Sequence, residues 1–489
     1  MRVGSRILPA LALAALTPAL PIIPAVAQSA PAPVIPDTPA GQQLRVWLDA
    51  FNSPDPAVFE ARMREEYPTW GAPPGATRPL RSLTGGFDPV RVESSSDGQI
   101  VVLLKERNWD DAYARITLDA EPQAGGKITS VQLPAVPPPA DIAPIARVGE
   151  AEALAALKAK LHAVGASGQF AGAVRVTRRG EPVFEYASGE ADREKGIANT
   201  LDTLFRIGSM NKMFTAVSVL QLVEAGQIDL DAPIGTYLKD YPNQDVASRV
   251  TVRHLLTHTG GTGDIFSPEF FQRREQMCSA ADHIALYGTR DLAFAPGERY
   301  AYSNYGFVLL GAIVEAVSGQ DYYDYVSEHV YRPAGMTASA SLPETADVPG
   351  RSVGYTLQGP TGPLPEARPN VDTLPCRGSP AGGGYSTVGD LTAFATALRT
   401  GKLLKPETLA AATTQQVTAG PGGGYGFGFG TSTVNGTRAY GHGGGAPGMS
   451  ADLMMLPELG YEIAMASNMD PQLIPRLIRL VAARLPASD

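Results

Sequence analysis

Residues 205–216 read FRIGSMNKMFTA, and within them Ser209 and Lys212 stand three apart at the start of an expected helix. Met213, Phe214, Val217 and Leu220 follow at helical spacing, with Gly226 as the terminator. Residues three apart share a helix face, so the Lys212 amine can reach the Ser209 hydroxyl. A free hydroxyl is a poor nucleophile, and a neighbouring amine that is neutral or hydrogen-bonded to it can activate it. The helix N-terminus adds N–H groups and a dipole that favour negative charge developing at Ser209. A serine there is also an ordinary N-cap, and S-x-x-K arises by chance about once in a chain this long. The rest of the sequence has to decide.

Two further clusters lie downstream. The stretch PGERYAYSNY, residues 296–305, holds Tyr302 and Asn304 just after a turn. A phenol beside a cationic lysine can lose its proton well below its ordinary pKa of ~10 and act as a general base. An amide at Asn304 can orient both the lysine and a substrate carbonyl. Near the end, Tyr440-Gly441-His442-Gly443-Gly444-Gly445 closes an expected strand. Glycines there let a substrate lie against the strand, and an exposed N–H can complete an oxyanion hole.

In this order, serine-x-x-lysine, tyrosine-x-asparagine and a histidine-glycine triplet resemble the serine β-lactamase and penicillin-binding superfamily. The class C-like branch, with its esterases, D-Ala-D-Ala carboxypeptidases and D-aminopeptidases, is the nearest likeness. VRHLLTHTGG (252–261), PGERYAYSNYGFVLLGAIVE (296–315) and GHGGGAPGMSADLMMLP (441–457) carry it further. The resemblance runs from about Glu150 to the C-terminus. It implies Ser209 as the acylated nucleophile, Lys212 as the activating amine and Tyr302 as general base and acid. Asn304, His442, Gly443 and Gly444 would bind substrate, and the backbone N–H groups of Ser209 and Gly445 would form the oxyanion hole. No cofactor or metal is implied. His442 occupies the place of a lysine in true β-lactamases. Histidine is largely neutral near pH 7, which favours an esterase or D-amino-acid peptidase over an efficient β-lactamase. Gly260 stands where serine is usual and receives no chemistry. The alternative is a catalytically silent penicillin-binding-like protein that binds cell wall or peptide.

Outward from these motifs, the fold class is α+β. Residues 148–489 read as the β-lactamase-like domain, an antiparallel sheet flanked by helices with a mostly helical subdomain inserted. Strands are expected at 173–177 and 182–187, turning at Arg179-Gly180, and again at 430–434, 437–442, 451–456 and 461–466, with a turn at Asn435-Gly436. Helices are expected over 150–164 and 472–485. Residues 38–133 read as a small α+β domain of two helices and four strands, near 87–93, 99–105, 113–118 and 127–133. It weakly resembles an NTF2-like or cystatin-like cone, carries no convergent catalytic set and reads as an accessory. Pro134, Pro137, Pro138, Pro139 and Pro144 mark residues 134–147 as a stiff linker.

The N-terminus reads as a signal peptide, residues 1–27. Arg2 and Arg6 precede an apolar run from Ile7 to about Leu20, and Ala25-Val26-Ala27 offers the cut after Ala27. Pro18 and Pro21 break the run, which argues against a retained span. Residues 28–37 are expected to be flexible, and the mature protein to be periplasmic or secreted. The formal charge of -9, without like-charge blocks, disfavours nucleic acid and polybasic membrane adsorption. The expected partner is a small-molecule or peptide-like ester or amide; the sequence leaves the oligomeric state open. Cys278 and Cys376 can form one disulfide, but the sequence gives no distance between them. His254 and His258 are four apart without the glutamate of a zincin or a third ligand. PGGGYGFGFG (421–430) lacks the lysine of a phosphate loop, and Thr387 with Asp390 reads as a capping box. Segments 261–294 and 359–380 are candidates to line a cleft.

Overall fold

A computed structural model describes residues 33–487 except 74, 360, 361 and 421. The expected signal peptide and most of the segment expected to be flexible therefore lie outside the described residues. Helices α1 (Pro39–Asn52) and α2 (Pro56–Glu66) start where Thr38 and Asp55 accept backbone N–H groups at the N-caps. A third helix, α3 (Arg78–Thr84), was not expected; Gly85 ends it in the left-handed conformation. The antiparallel strands β1 (Phe87–Ser95), β2 (Gln99–Glu106), β3 (Tyr113–Ala120) and β4 (Ile128–Gln132) follow at the expected places. Trp47, Phe51, Phe59 and Phe87 interlock where the helices cover this sheet.

The proline-rich linker is held at both ends. Strand β5 (Ala135–Val136) pairs with β3, and the Arg147 guanidinium donates to the carbonyls of Leu485 (2.6 Å) and Asn435 (3.0 Å). The small domain also docks directly. Arg476 meets the buried Glu106 at 2.7 Å, and Lys160 sits 4.4 Å above the Trp109 ring.

Beyond the linker, α4 (Glu150–Ala166) leads into β6 (Gly172–Arg178) and β7 (Glu181–Ser188). The helical middle contains α5 (Asn211–Glu224), α6 (Asn304–Ser318) and α7 (Val388–Arg399). The chain then returns through β8 (Val417–Gly420), β9 (Gly423–Tyr425), β10 (Gly430–Val434), β11 (Thr437–Ala446), β12 (Met449–Leu456) and β13 (Tyr461–Ser467), ending in α8 (Ile474–Ala482). Arg179-Gly180 and Asn435-Gly436 take positive φ at both turn positions, the geometry that joins tightly twisted antiparallel strands. One eight-stranded antiparallel sheet results, in the order β8-β9-β10-β11-β12-β13-β6-β7. Pairing of β13 with β6 closes the two ends of the domain onto each other. Alternation then divides the sheet's faces: Ala451, Leu453, Ala464 and Ala466 join the core of the helical middle, while Val174, Val176, Ile463 and Met465 pack with residues of α4 and α8.

Two expectations about this sheet need correction. Residues 421–430 read from the sequence only as a failed phosphate loop, yet part of them forms strand β9, paired between β8 and β10; glycine's weak strand propensity hides it. Strand β11 does not stop at His442 but runs to Ala446, because Gly443, Gly444 and Gly445 pair in register with Asp452, Ala451 and Ser450. Neighbouring backbone, not propensity, makes it a strand. Thr387 does cap α7 by accepting the Asp390 N–H at 3.0 Å, but the Asp390 carboxylate turns to the Ala338 N–H instead of back to the cap.

Cys278 and Cys376 are joined in a disulfide, with Cα atoms 5.0 Å apart. The bond ties segment 261–294 to segment 359–380. Among the described residues, no helix is long and apolar enough to cross a membrane.

Candidate active site

Ser209 lies in a single 3-10 turn, Gly208–Met210, that runs straight into α5. Gly208 takes φ +54°, and a side chain there would stand 2.9 Å from the Gly445 nitrogen. A β-carbon on Gly444 would come within 1.8 Å of the Ile207 carbonyl oxygen and 2.8 Å of the Ser209 nitrogen. Only glycine permits this approach, which brings the backbone of β11 against the N-terminal turn of α5.

Lys212 is fully buried, at 0% exposure. Its Nζ is 3.3 Å from Ser209 Oγ and donates to Asn304 Oδ1 at 2.7 Å and to the Ala381 carbonyl. Burial pulls its pKa down to about 7, against the opposing charge of Asp264. A neutral amine has two N–H bonds and one lone pair. The two acceptors take both N–H bonds, leaving the lone pair for the Ser209 hydroxyl proton.

Tyr302 sits beside this pair, its ring centroid 4.7 Å from Lys212 Nζ and its phenol hydrogen-bonded to Ser209. A cationic lysine beside this phenol would favour its ionisation, and desolvation works against it. Desolvation of its hydroxyl end raises the Tyr302 pKa above the ordinary value, although the residue is 37% exposed, with the Ser209 hydrogen bond opposing, while burial brings the lysine to about 7. Near pH 7 the amine is the group with its basic form substantially populated.

Asn304 opens α6, and its orientation is set by a residue that sequence reading missed. Asp264 accepts the Asn304 backbone N–H on one oxygen at 2.9 Å and the side-chain amide on the other at 3.2 Å. The amide oxygen is thereby turned to Lys212. An aspartate in a glycine-rich loop, with no repeat or spacing to mark it, gives little sequence signal.

His442 faces the same side of the sheet as Leu453, toward the helical middle. Its Nδ1–H donates to the Gly443 carbonyl at 2.5 Å, and its Nε2 accepts from the Tyr425 hydroxyl at 2.9 Å. A carbonyl can only accept, so this pattern fixes one neutral tautomer. Partial burial of the ring, with the Lys212 charge next, lowers its pKa to about 3. A side chain on Gly443 would face Asp452 on the far side of the sheet, so Gly443 can meet a substrate only through its main chain. His254 and His258 each take a backbone N–H on a ring nitrogen, from Thr251 and Ser303 respectively. Thus Ser209, Lys212, Tyr302 and Asn304 come together at one point, with the glycines of β11 against the turn of Ser209 and the His442 ring 6.4 Å from that of Tyr302.

A family model described as Beta-lactamase matches residues 154–484. Among curated proteins, Penicillin-binding protein 4 of Amycolatopsis lactamdurans is 34% identical over 215 residues, covering 44% of this chain and 55% of that one. Esterase EstB of Burkholderia gladioli is 33% identical over 270 residues, covering 48% of this chain and 67% of the esterase. The chain spans roughly half the length of the first penicillin-binding relatives it matches. A D-stereospecific amidohydrolase from Streptomyces sp. superimposes with a TM-score of 0.57 at 29% identity, over 66% of this chain and 97% of that one.

Proposed function

The chain belongs to the beta-lactamase family, and from that premise we propose that it is an exported serine hydrolase working through an acyl-enzyme on esters or amides. The observation that carries this reading is the buried Lys212 amine, its Nζ 3.3 Å from Ser209 Oγ, its hydrogens accepted by Asn304 and the Ala381 carbonyl, and its pKa brought down to about 7. Ser209 Oγ attacks the substrate carbonyl carbon and passes its proton to Lys212 Nζ. The backbone N–H groups of Ser209 and Gly445 receive the negative oxygen. When the tetrahedral adduct collapses, the bond to the leaving alcohol or amine breaks, and that group departs with a proton from the Tyr302 phenol. The Lys212 ammonium makes the phenol's loss good. Water then repeats the sequence on the acyl-enzyme and releases the acid.

Substrate preference follows from the third motif. His442 is neutral and hydrogen-bonded at both ring nitrogens, so it offers no fixed cation for a substrate carboxylate. This supports an esterase or D-amino-acid amidase-like activity over an efficient β-lactamase, in keeping with the esterase and the D-stereospecific amidohydrolase among the similar proteins. The disulfide between Cys278 and Cys376 supports an oxidising compartment, periplasmic or extracellular.

A fluorophosphonate probe tests the reading. It is expected to label Ser209 in the wild type, and Ser209→Ala is expected to lose both the adduct and hydrolysis of short p-nitrophenyl esters. A folded wild type that never forms the adduct sinks the proposal.

A further inference from the structure

His258 lies outside the reacting groups, yet it touches the chain that carries Tyr302 at three points. Its carbonyl accepts the Ala301 N–H at 2.9 Å, and its Nδ1 accepts the Ser303 N–H at 3.0 Å. Its ring lies 4.3 Å from the Tyr302 ring at an interplanar angle of 35°. The two hydrogen bonds bracket Tyr302 in sequence, so the backbone is pinned on each side of the phenol. The tilted ring contact braces the phenol between them.

Two features show that the fold goes out of its way to place this imidazole. The first is backbone: His258 takes φ +57°, a left-handed conformation uncommon for a residue with a side chain. The second is polar. The ring is 1% exposed, and Nδ1 can accept a proton only while it holds a lone pair, so the neutral ring carries its hydrogen on Nε2. Among the described residues that buried nitrogen has no hydrogen-bond partner. Aromatic rings enclose the imidazole, with Tyr425 at 4.6 Å, Phe307 at 5.0 Å and Tyr300 at 5.8 Å. An ordinary core position would be filled by an apolar ring without that desolvated N–H. The nitrogen that repays its presence is Nδ1, on the Ser303 N–H. Burial holds the ring well below the usual histidine pKa, in keeping with its neutral state.

We propose that His258 is the positioning residue for Tyr302, a neutral imidazole that fixes the phenol against the Ser209–Lys212 pair. The proposal rests on the acyl-enzyme reading given above. The same ring packs on Tyr425, whose hydroxyl holds His442, so one side chain backs both the proton donor and the support of the strand wall. The two histidines singled out by their spacing are therefore a helix cap and a clamp.

The test compares two substitutions in the full chain. His258→Asn keeps an acceptor near Nδ1 and a residue that tolerates positive φ. His258→Phe keeps the buried aromatic stack and removes the acceptor. With p-nitrophenyl butyrate, the Phe variant is expected to lose about 10- to 100-fold in kcat with KM nearly unchanged, as a displaced catalytic group does. The Asn variant is expected to recover most of that loss, even though it forfeits the stack. Thermal melts of both report folding. A folded Phe variant with wild-type kcat overturns the proposal, as does an Asn variant that loses as much kcat as Phe. Fluorophosphonate labelling of the wild type at Ser209 reads out the acyl-enzyme premise separately, so failure of either claim is recognisable.

Discussion

Two basic side chains flank Ser209 from different walls, Lys212 on helix α5 and His442 on strand β11. Burial lowers the pKa of both, bringing the lysine to about 7 and the histidine to about 3. The difference lies in what their neighbours leave free. Lys212 spends two N–H bonds on Asn304 and Ala381 and keeps a lone pair. His442 spends its N–H on Gly443 and its lone pair on Tyr425. The helix wall is poised to move a proton; the strand wall is neutral and held in place. Lys212→Met tests the first half most severely, because it removes the base and keeps the bulk. An acylation rate lower by about 10^3-fold or more is expected, with Lys212→Arg no better, since a guanidinium stays charged. Near-wild-type labelling in the Met variant would erase the contrast.

Asp264 supplies the next test. It holds Asn304 so that the amide oxygen faces Lys212, and its charge raises the lysine pKa against burial. Catalysis needs the neutral amine, so wild-type kcat/KM should fall as pH drops through about 7. Asp264→Ala frees the amide to turn and withdraws the supporting charge. The expected result is a roughly 10- to 100-fold loss in kcat. The acid limb should also shift to lower pH, because a lysine without that charge releases its proton sooner. A limb that stays in place would separate Asp264 from the lysine.

What could be read in advance follows the same division. Ser209, Lys212, Tyr302 and Asn304 sit at helix starts with spacing and flanks that mark them, and strands such as β3 and β10 announce themselves by alternation or by a turn at Asn435-Gly436. The protonation states were not legible, because they depend on enclosure by residues far apart in sequence. Asp264 lies 40 positions from Asn304 and Tyr425 lies 17 from His442, with nothing periodic linking either pair. Strand β9 and the end of β11 were hidden for a related reason: glycines have no side chain to carry a pattern, and backbone pairing alone makes them strands.

Tyr425→Phe probes the strand wall and carries the smallest expected effect. The phenol donates to the lone pair of His442, a hydrogen bond that only the unprotonated nitrogen can accept. Removing it leaves that nitrogen without a donor, so protonation becomes easier and the His442 pKa rises from about 3, against the burial that is the main cause of its depression. Near pH 7 the ring stays neutral, and kcat/KM on a neutral ester should change by about 10-fold or less, through loosening alone. The signature belongs below pH 6, where the variant should gain a second inflection that the wild type lacks. A newly cationic ring beside Ser209 should then improve the relative KM of an ester bearing a free carboxylate over its methylated counterpart. If the variant keeps a single inflection near 7 and the wild-type preference between those two esters, the neutrality of the strand wall does not come from Tyr425. It would then come from burial alone, and the two walls would differ in their hydrogen bonds without differing in how their charge is set.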